Sequence, residues 1–276
     1  MKMPLGVKLV LVALAVAVAA VFASRKWTAP PVQGVEPGQV EGDRLVLSID
    51  GVEFPFRWAP AGKFLMGSSD GEEGRDDEAE TRHPVVLTHG FWILETEVTQ
   101  EMYAAVTKAN PSQFSGGNLP VDTVSWFDAV EFCAVWQKLA RLPKTIAARL
   151  PSEAEWEYAC RAGTLGAYYL PIERSGWIGE ETDTGGTHPV GEKEPNAWGL
   201  FDMHGNLWEW TADGWYDYTE EERTDPRGTA EGEVRVDRGG CWDSQPDEAR
   251  SAHRGTYEAE RSSRFIGFRF ILSELP

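Results

Sequence analysis

The sequence predicts an α+β fold with few regular elements and much irregular backbone. Three observations carry that expectation: one strong β-hairpin signal at the start of the domain, three helices announced by capping residues, and a long final stretch in which no periodicity persists. The 276 residues include 28 glycines and 12 tryptophans. Such a chain is expected to use tight turns and large amphipathic anchors in place of long helices. It contains no internal repeat and no sustained heptads.

Lys2 and Lys8 precede an unbroken apolar run from Leu9 to Ala23, which Arg25 and Lys26 close. The run is shorter than the roughly 20 residues that span a bilayer comfortably and matches a signal-peptide core. Val21 and Ala23 place small residues before a cleavage site at Ser24. Residues 1–27 are therefore expected to be a signal peptide or an N-terminal membrane anchor, with a buried helix of the domain as a third reading. The balanced basic flanks give no orientation, and no nearby cysteine offers a lipid attachment point. The body is expected outside the cytoplasm, periplasmic, secreted or anchored. Residues 28–43, rich in Pro and Gly, read as a flexible linker. Residues 44–276 are enough for one domain with a sizeable core.

Within the domain, Leu45, Leu47 and Ile49 alternate, Asp50-Gly51 turns, and Val52, Phe54, Phe56 and Trp58 alternate back. Asp-Gly between two alternating runs signals a hairpin. Pro55 on its opposite face suggests an edge strand. An acidic loop from Asp70 to Glu80 is expected to be solvated and mobile. Thr99 is placed to cap a helix running to about Ala109, before Asn110-Pro111. Ser125 with Asp128 and Ser152 with Glu155 form capping boxes. Trp126, Ala129, Val130, Cys133 and Trp136 recur on one face of the second helix, and Gly163 is placed to end the third.

The net charge of −18 makes a phosphate-tracking surface, and hence a nucleic-acid partner, an unfavourable expectation. Of the three cysteines, Cys133, Cys160 and Cys241, the first two either bridge or sit as small buried hydrophobes.

Read in order, the segments form a specific set. Phe64-Leu65-Met66-Gly67, His83-Pro84-Val85 and Glu97-Val98-Thr99 are followed by Val124-Ser125-Trp126 and Arg149-Leu150-Pro151-Ser152-Glu153-Ala154-Glu155-Trp156. Gly199-Leu200-Phe201-Asp202-Met203, Gly205-Asn206-Leu207-Trp208-Glu209-Trp210, Arg238-Gly239-Gly240 and Gly267-Phe268-Arg269 complete it. From roughly Arg57 to Phe270 this set resembles the formylglycine-generating enzyme (sulfatase-modifying factor) family. The resemblance implies a variant of the C-type lectin fold with little regular secondary structure.

In that family two cysteines bind Cu(I), a soft ion suited to thiolates. Matching from Gly239-Gly240 puts Ser244 and Ala249 at their positions, and Cys241 is the only cysteine after Cys160. Copper is therefore not expected, nor is formylglycine-generating activity. The resemblance also places Phe270 and Arg254 where some members carry the disulfide partners of Cys133 and Cys160, so those bridges are not expected. Asp202, Gly205, Leu207 and Glu209 match a calcium site of the family, and two carboxylates flanking a Gly-Asn turn suit an ion that takes six to eight oxygens. The pocket candidates are Cys241, Ser244, Arg250, Trp208 and Trp242, with Trp210 as a further aromatic. Cys241 reads as a reactive thiol or as a tolerated replacement in a half-buried turn.

Two functions follow. One is an accessory protein that binds a peptide, a glycan or a protein partner in an aromatic groove, with the N-terminal segment holding the membrane if it stays uncleaved. The other is an extracytoplasmic oxidoreductase acting on a peptide or secondary metabolite, as in the pyoverdine-maturation branch, which also lacks the cysteine pair.

Overall fold

The computed structural model describes residues 35–179, 185–229 and 232–275. The expected signal or anchor segment, and the linker up to residue 34, lie outside these. Among the described residues no helix is long and apolar enough to cross a membrane.

The chain runs through β1 (Arg44–Ile49), β2 (Val52–Ala59), β3 (Gly62–Met66), β4 (His83–Leu87) and β5 (Phe91–Leu94) before α1 (Gln100–Thr107) and α2 (Trp126–Ala140). It continues with β6 (Ile146–Arg149), α3 (Glu153–Arg161), β7 (Gly176–Trp177), β8 (His204–Gly205), β9 (Trp208–Trp210) and β10 (Arg223–Thr224). β11 (Val234–Arg238), β12 (Gly255–Glu258), β13 (Ile266–Gly267) and β14 (Ile271–Glu274) close it. The main sheet has the order β1-β2-β5-β14-β6, and a second sheet of four strands has the order β12-β11-β9-β13. The mixed α+β class is the one expected.

The hairpin forms as read. Asp50 and Gly51 both take positive φ (52° and 86°), which matches the twist of the strands they join. β2 is not an edge strand, however, because β5 covers it. The Glu95 N–H donates to the Pro55 carbonyl, and the reciprocal bond that proline lacks is replaced by the Phe201 N–H donating to the Glu95 carbonyl. A distant loop thus satisfies the acceptor that Pro55 leaves open.

All three helix starts stand where the caps predict. Thr99 Oγ1 accepts the Met102 N–H, and both capping boxes are closed in both directions. On α2 the buried face is Ala129, Phe132, Cys133, Trp136 and Ala140, whereas Val130 is exposed. Phe132 and Trp136 interlock with Phe54, Phe56 and Phe270 at edge-to-face centroid distances of 5.0 to 5.8 Å, apart from the 6.5 Å Phe54–Phe270 pair. This cluster joins α2 to the main sheet. A second core packs Trp156 and Ala159 of α3 against Met66, Val85, Leu200 and Met203.

Two segments read as loose are held to the domain by specific contacts. The expected linker is packed from Val35 onward: Val35 joins the core, Trp92 Nε1 donates to the Glu36 carbonyl, and the Gly42 N–H donates to the Trp58 carbonyl. The acidic loop is pinned, since Arg250 donates to Glu72, to both oxygens of the buried Glu80 and to the Gly74 carbonyl.

Candidate functional site

β11 is followed by Gly239 and Gly240, both with positive φ (97° and 74°), a conformation that favours glycine. The backbone then enters a tight turn. The Ser244 N–H donates to the Cys241 carbonyl, and the Cys241 N–H donates to Ser244 Oγ at 3.1 Å. Cys241 Sγ lies 3.6 Å from the same hydroxyl. This turn and the four-stranded sheet border an open pocket of about 340 Å³, lined by Trp208, Asp237, Cys241, Ser244, Tyr257 and Phe265 among others. Its size lies at the lower end of the ~300–1,000 Å³ of small-ligand sites.

Three of the expected pocket residues, Trp208, Cys241 and Ser244, meet here. The other expected members do not. Trp242 is buried behind the wall, stacked on Phe265 at 5.2 Å and edge-on to Phe114 at 5.8 Å. Trp210 lies in the core and donates Nε1–H to the Val124 carbonyl. Arg250 is spent on the acidic loop. The sequence reading missed Asp237, Tyr257 and Phe265. The signal for Asp237 lay in its neighbour: Arg238 turns toward α3, so alternation along β11 sends Asp237 to the opposite face.

Asp237 is the unusual group of this wall, only 6% exposed. Burial lifts its carboxyl to about 7, against the lowering effects of its own backbone N–H and of Arg238. Burial likewise raises the Cys241 thiol, so a thiolate is disfavoured there. Cys133, Cys160 and Cys241 are all free and buried, which excludes a Cys133–Cys160 bridge.

The expected calcium residues form a separate buried cluster. Asp202, Gly205 and Asn206 adopt positive φ, and a Cβ on Gly205 would overlap the Trp177 carbonyl. Glu209 is already engaged: Arg269 donates to both its oxygens at 2.7 Å, and Trp156 Nε1 donates to Oε2 at 2.9 Å. Asp202 Oδ2 accepts the Gly191 N–H at 2.7 Å, while Asp202 Oδ1 and both oxygens of Glu97 are buried without a partner. Burial, reinforced by Asp202 and Glu209, raises the Glu97 carboxyl well above the usual range, and burial takes Asp202 to about 6. Three carboxylates thus share one guanidinium. The unpartnered oxygens of Asp202 and Glu97 fit a cation, and Glu209 fits the role of anchor for Arg269. Among the described residues no group of three His, Cys, Asp or Glu side chains is arranged as a metal cage.

Residues 56–274 match the sulfatase-modifying factor enzyme 1-like domain. The Streptomyces coelicolor formylglycine-generating enzyme is 30% identical over 290 residues, covering 76% of this chain and 86% of its own. The bovine formylglycine-generating enzyme is 37% identical over 181 residues, covering 57% of this chain. The match spans only 45% of the bovine protein's length. Among solved structures, PvdO from Pseudomonas aeruginosa superposes with a TM-score of 0.75 at 28% identity, covering 86% of this chain and all of PvdO.

Proposed function

The chain belongs to the sulfatase-modifying factor family, and on that premise we propose that it is an extracytoplasmic ligand-binding member without formylglycine-generating activity. The observation that carries this reading is the Cys241–Ser244 turn. Where the family resemblance places two copper thiolates stand a hydroxyl already accepting the Cys241 N–H and the methyl group of buried Ala249. What remains is a shaped cavity with aromatic walls, suited to a side chain of a peptide, a sugar ring or a segment of a protein partner. A peptide and glycan array should give hits with the wild-type domain that Trp208→Ala loses. Hits indifferent to Trp208→Ala would remove the pocket from the function.

The second reading, an extracytoplasmic oxidoreductase, draws on the likeness to PvdO along its whole length. Oxygen uptake when an array hit is added would favour it over binding alone.

The extracytoplasmic placement rests on the Leu9–Ala23 run, whether cleaved or retained as an anchor. A reporter joined to the carboxyl end of the full chain should be active only outside the cytoplasm, and cytoplasmic activity would sink this placement.

Calcium is proposed as a structural ion held by Asp202, Glu97 and carbonyls of the Gly205–Leu207 turn. Bound to the native state alone, it would neutralise the buried carboxylates and add about 2.7 kcal/mol at a hundredfold excess over its dissociation constant. Chelation should lower the melting temperature of the wild type and leave Asp202→Asn unaffected. An equal response of the two proteins to chelator would exclude this site.

A further inference from the structure

We propose that the pocket beside Cys241 is selective for an organic cation, an alkylammonium group whose charge is received by Asp237 and whose stem lies between Trp208 and Tyr257. The inference deepens the reading of this cavity as the ligand site and rests on it.

The argument starts from charge. Three carboxylates line the cavity, Asp237, Asp243 and Glu248, and among its described lining residues there is no Lys, Arg or His. Asp243 is exposed at the rim, and Glu248 gives one oxygen to the Gln245 N–H. Asp237 is different. It is more than nine-tenths buried, enters no ion pair among the described residues, and receives only its own backbone N–H. The nearest cation in the chain, Arg238, points to the opposite face of β11 and is taken by Glu153 and Glu157 at 2.9 and 2.6 Å. His253 stands beside Trp208 at 5.7 Å, and burial and Arg250 lower its tendency to carry charge. Arg264 lies over the Phe265 ring at 4.8 Å and the Trp242 ring at 5.4 Å and forms no ion pair with Asp237.

The position of Asp237 is also specified sterically. It pairs with Gly255 across the β11–β12 ladder, and a Cβ on Gly255 would overlap Asp237 Oδ1 and lie 3.0 Å from the Trp208 ring. The missing side chain at residue 255 therefore leaves room for the carboxylate next to an indole. A carboxylate beside aromatic faces is the arrangement that receives an ammonium ion: the first supplies a charge-assisted hydrogen bond and the second a cation–π surface. A buried anion left unpaired is costly, so a bound cation would recover that cost.

The test compares n-butylammonium with butan-1-ol, its neutral counterpart, by tryptophan fluorescence and NMR shift titration of the intact domain. The cation should bind wild type roughly tenfold or more tightly than the alcohol, as expected for a hydrogen bond between charged groups. Asp237→Asn should reduce that preference to near unity without weakening alcohol binding, and Asp237→Glu should restore part of it. Gly255→Ala, which keeps every charge but displaces the carboxylate, should also weaken cation binding. Equal binding of the two probes by wild type, binding of neither, or a preference that survives Asp237→Asn would overturn the proposal. If Asp237→Asn fails to fold, Gly255→Ala decides. Equal, Trp208-dependent binding of both probes would remove the cation selectivity and leave the pocket reading standing. Binding indifferent to Trp208→Ala would remove the pocket reading itself.

Discussion

Replacing Glu153 by alanine should cost the domain about 3–5 kcal/mol, a large part of the roughly 5–15 kcal/mol that a folded domain has in total. Glu153 opens α3 and is fully buried. Its Oε1 accepts from Arg238 at 2.9 Å and Arg254 at 2.7 Å, and its Oε2 accepts from Arg254 at 2.9 Å. Arg238 also donates to Glu157, which Arg161 holds from the other side at 2.8 Å. Burial disfavours the Arg238 charge, yet Glu157 and Glu153 more than offset it. Arg254 stacks on Tyr218 and Trp215 at 3.8 and 3.9 Å, so the network ties α3, β11 and the loop before β10 together. Alanine at 153 would leave Arg254 with no carboxylate partner and Arg238 with one, both inside the protein. Urea unfolding followed by tryptophan fluorescence measures the loss. Arg174→Ala, which breaks an exposed pair with Glu194, is the control and should leave stability nearly unchanged, because water and salt screen that pair. Similar losses for the two variants would show that the buried network does not stabilise the fold.

The parts of this architecture that were legible in the sequence are those whose signals are local. Asp50-Gly51, Ser125 with Asp128 and Ser152 with Glu155 specify their own backbone within four residues, and each forms as expected. Pro55 misled because the bond it forgoes is replaced from Phe201, far away in sequence. Arg250 and Trp210 misled for a related reason. Both are close in sequence to pocket residues, but Trp210, on the same face of β9 as Trp208, is covered by the core with its Nε1–H on the Val124 carbonyl, and the turn directs Arg250 toward Glu80. The acidic loop is exposed over most of its length, as read, but composition says nothing of the guanidinium 170 residues after Glu80 that holds it. Asp237 was hidden because a lone aspartate in a charged strand carries no motif, and its isolation becomes visible only when Arg238 is seen to face away.

The wild-type protein should form no formylglycine from a cysteine-containing, sulfatase-derived peptide, with or without added copper. In the family, oxygen activation needs two thiolates converging on Cu(I), and a hydroxyl is too hard a ligand to replace one. Here Ser244 Oγ is the acceptor that closes its own turn, Ala249 has no donor atom, and the one sulfur nearby is a buried thiol whose ionisation burial opposes. Ser244→Cys with Ala249→Cys should raise Cu(I) affinity by well over tenfold, more than about 1.4 kcal/mol, in a chelator competition. The second substitution enters a tight site. Ala249 packs so closely on Gly240 that a Cβ there would lie only 3.1 Å from the alanine methyl, and an added sulfur should cost about 1–3 kcal/mol of stability. Mass spectrometry of the peptide reads the chemistry, since conversion of the cysteine –CH2SH side chain into an aldehyde lowers its mass. An aldehyde made by wild type and absent with boiled protein would overturn the assignment of this pocket to binding alone. An unchanged Cu(I) affinity in the double variant would show instead that Ser244 and Ala249 do not occupy the positions of the family's thiolates.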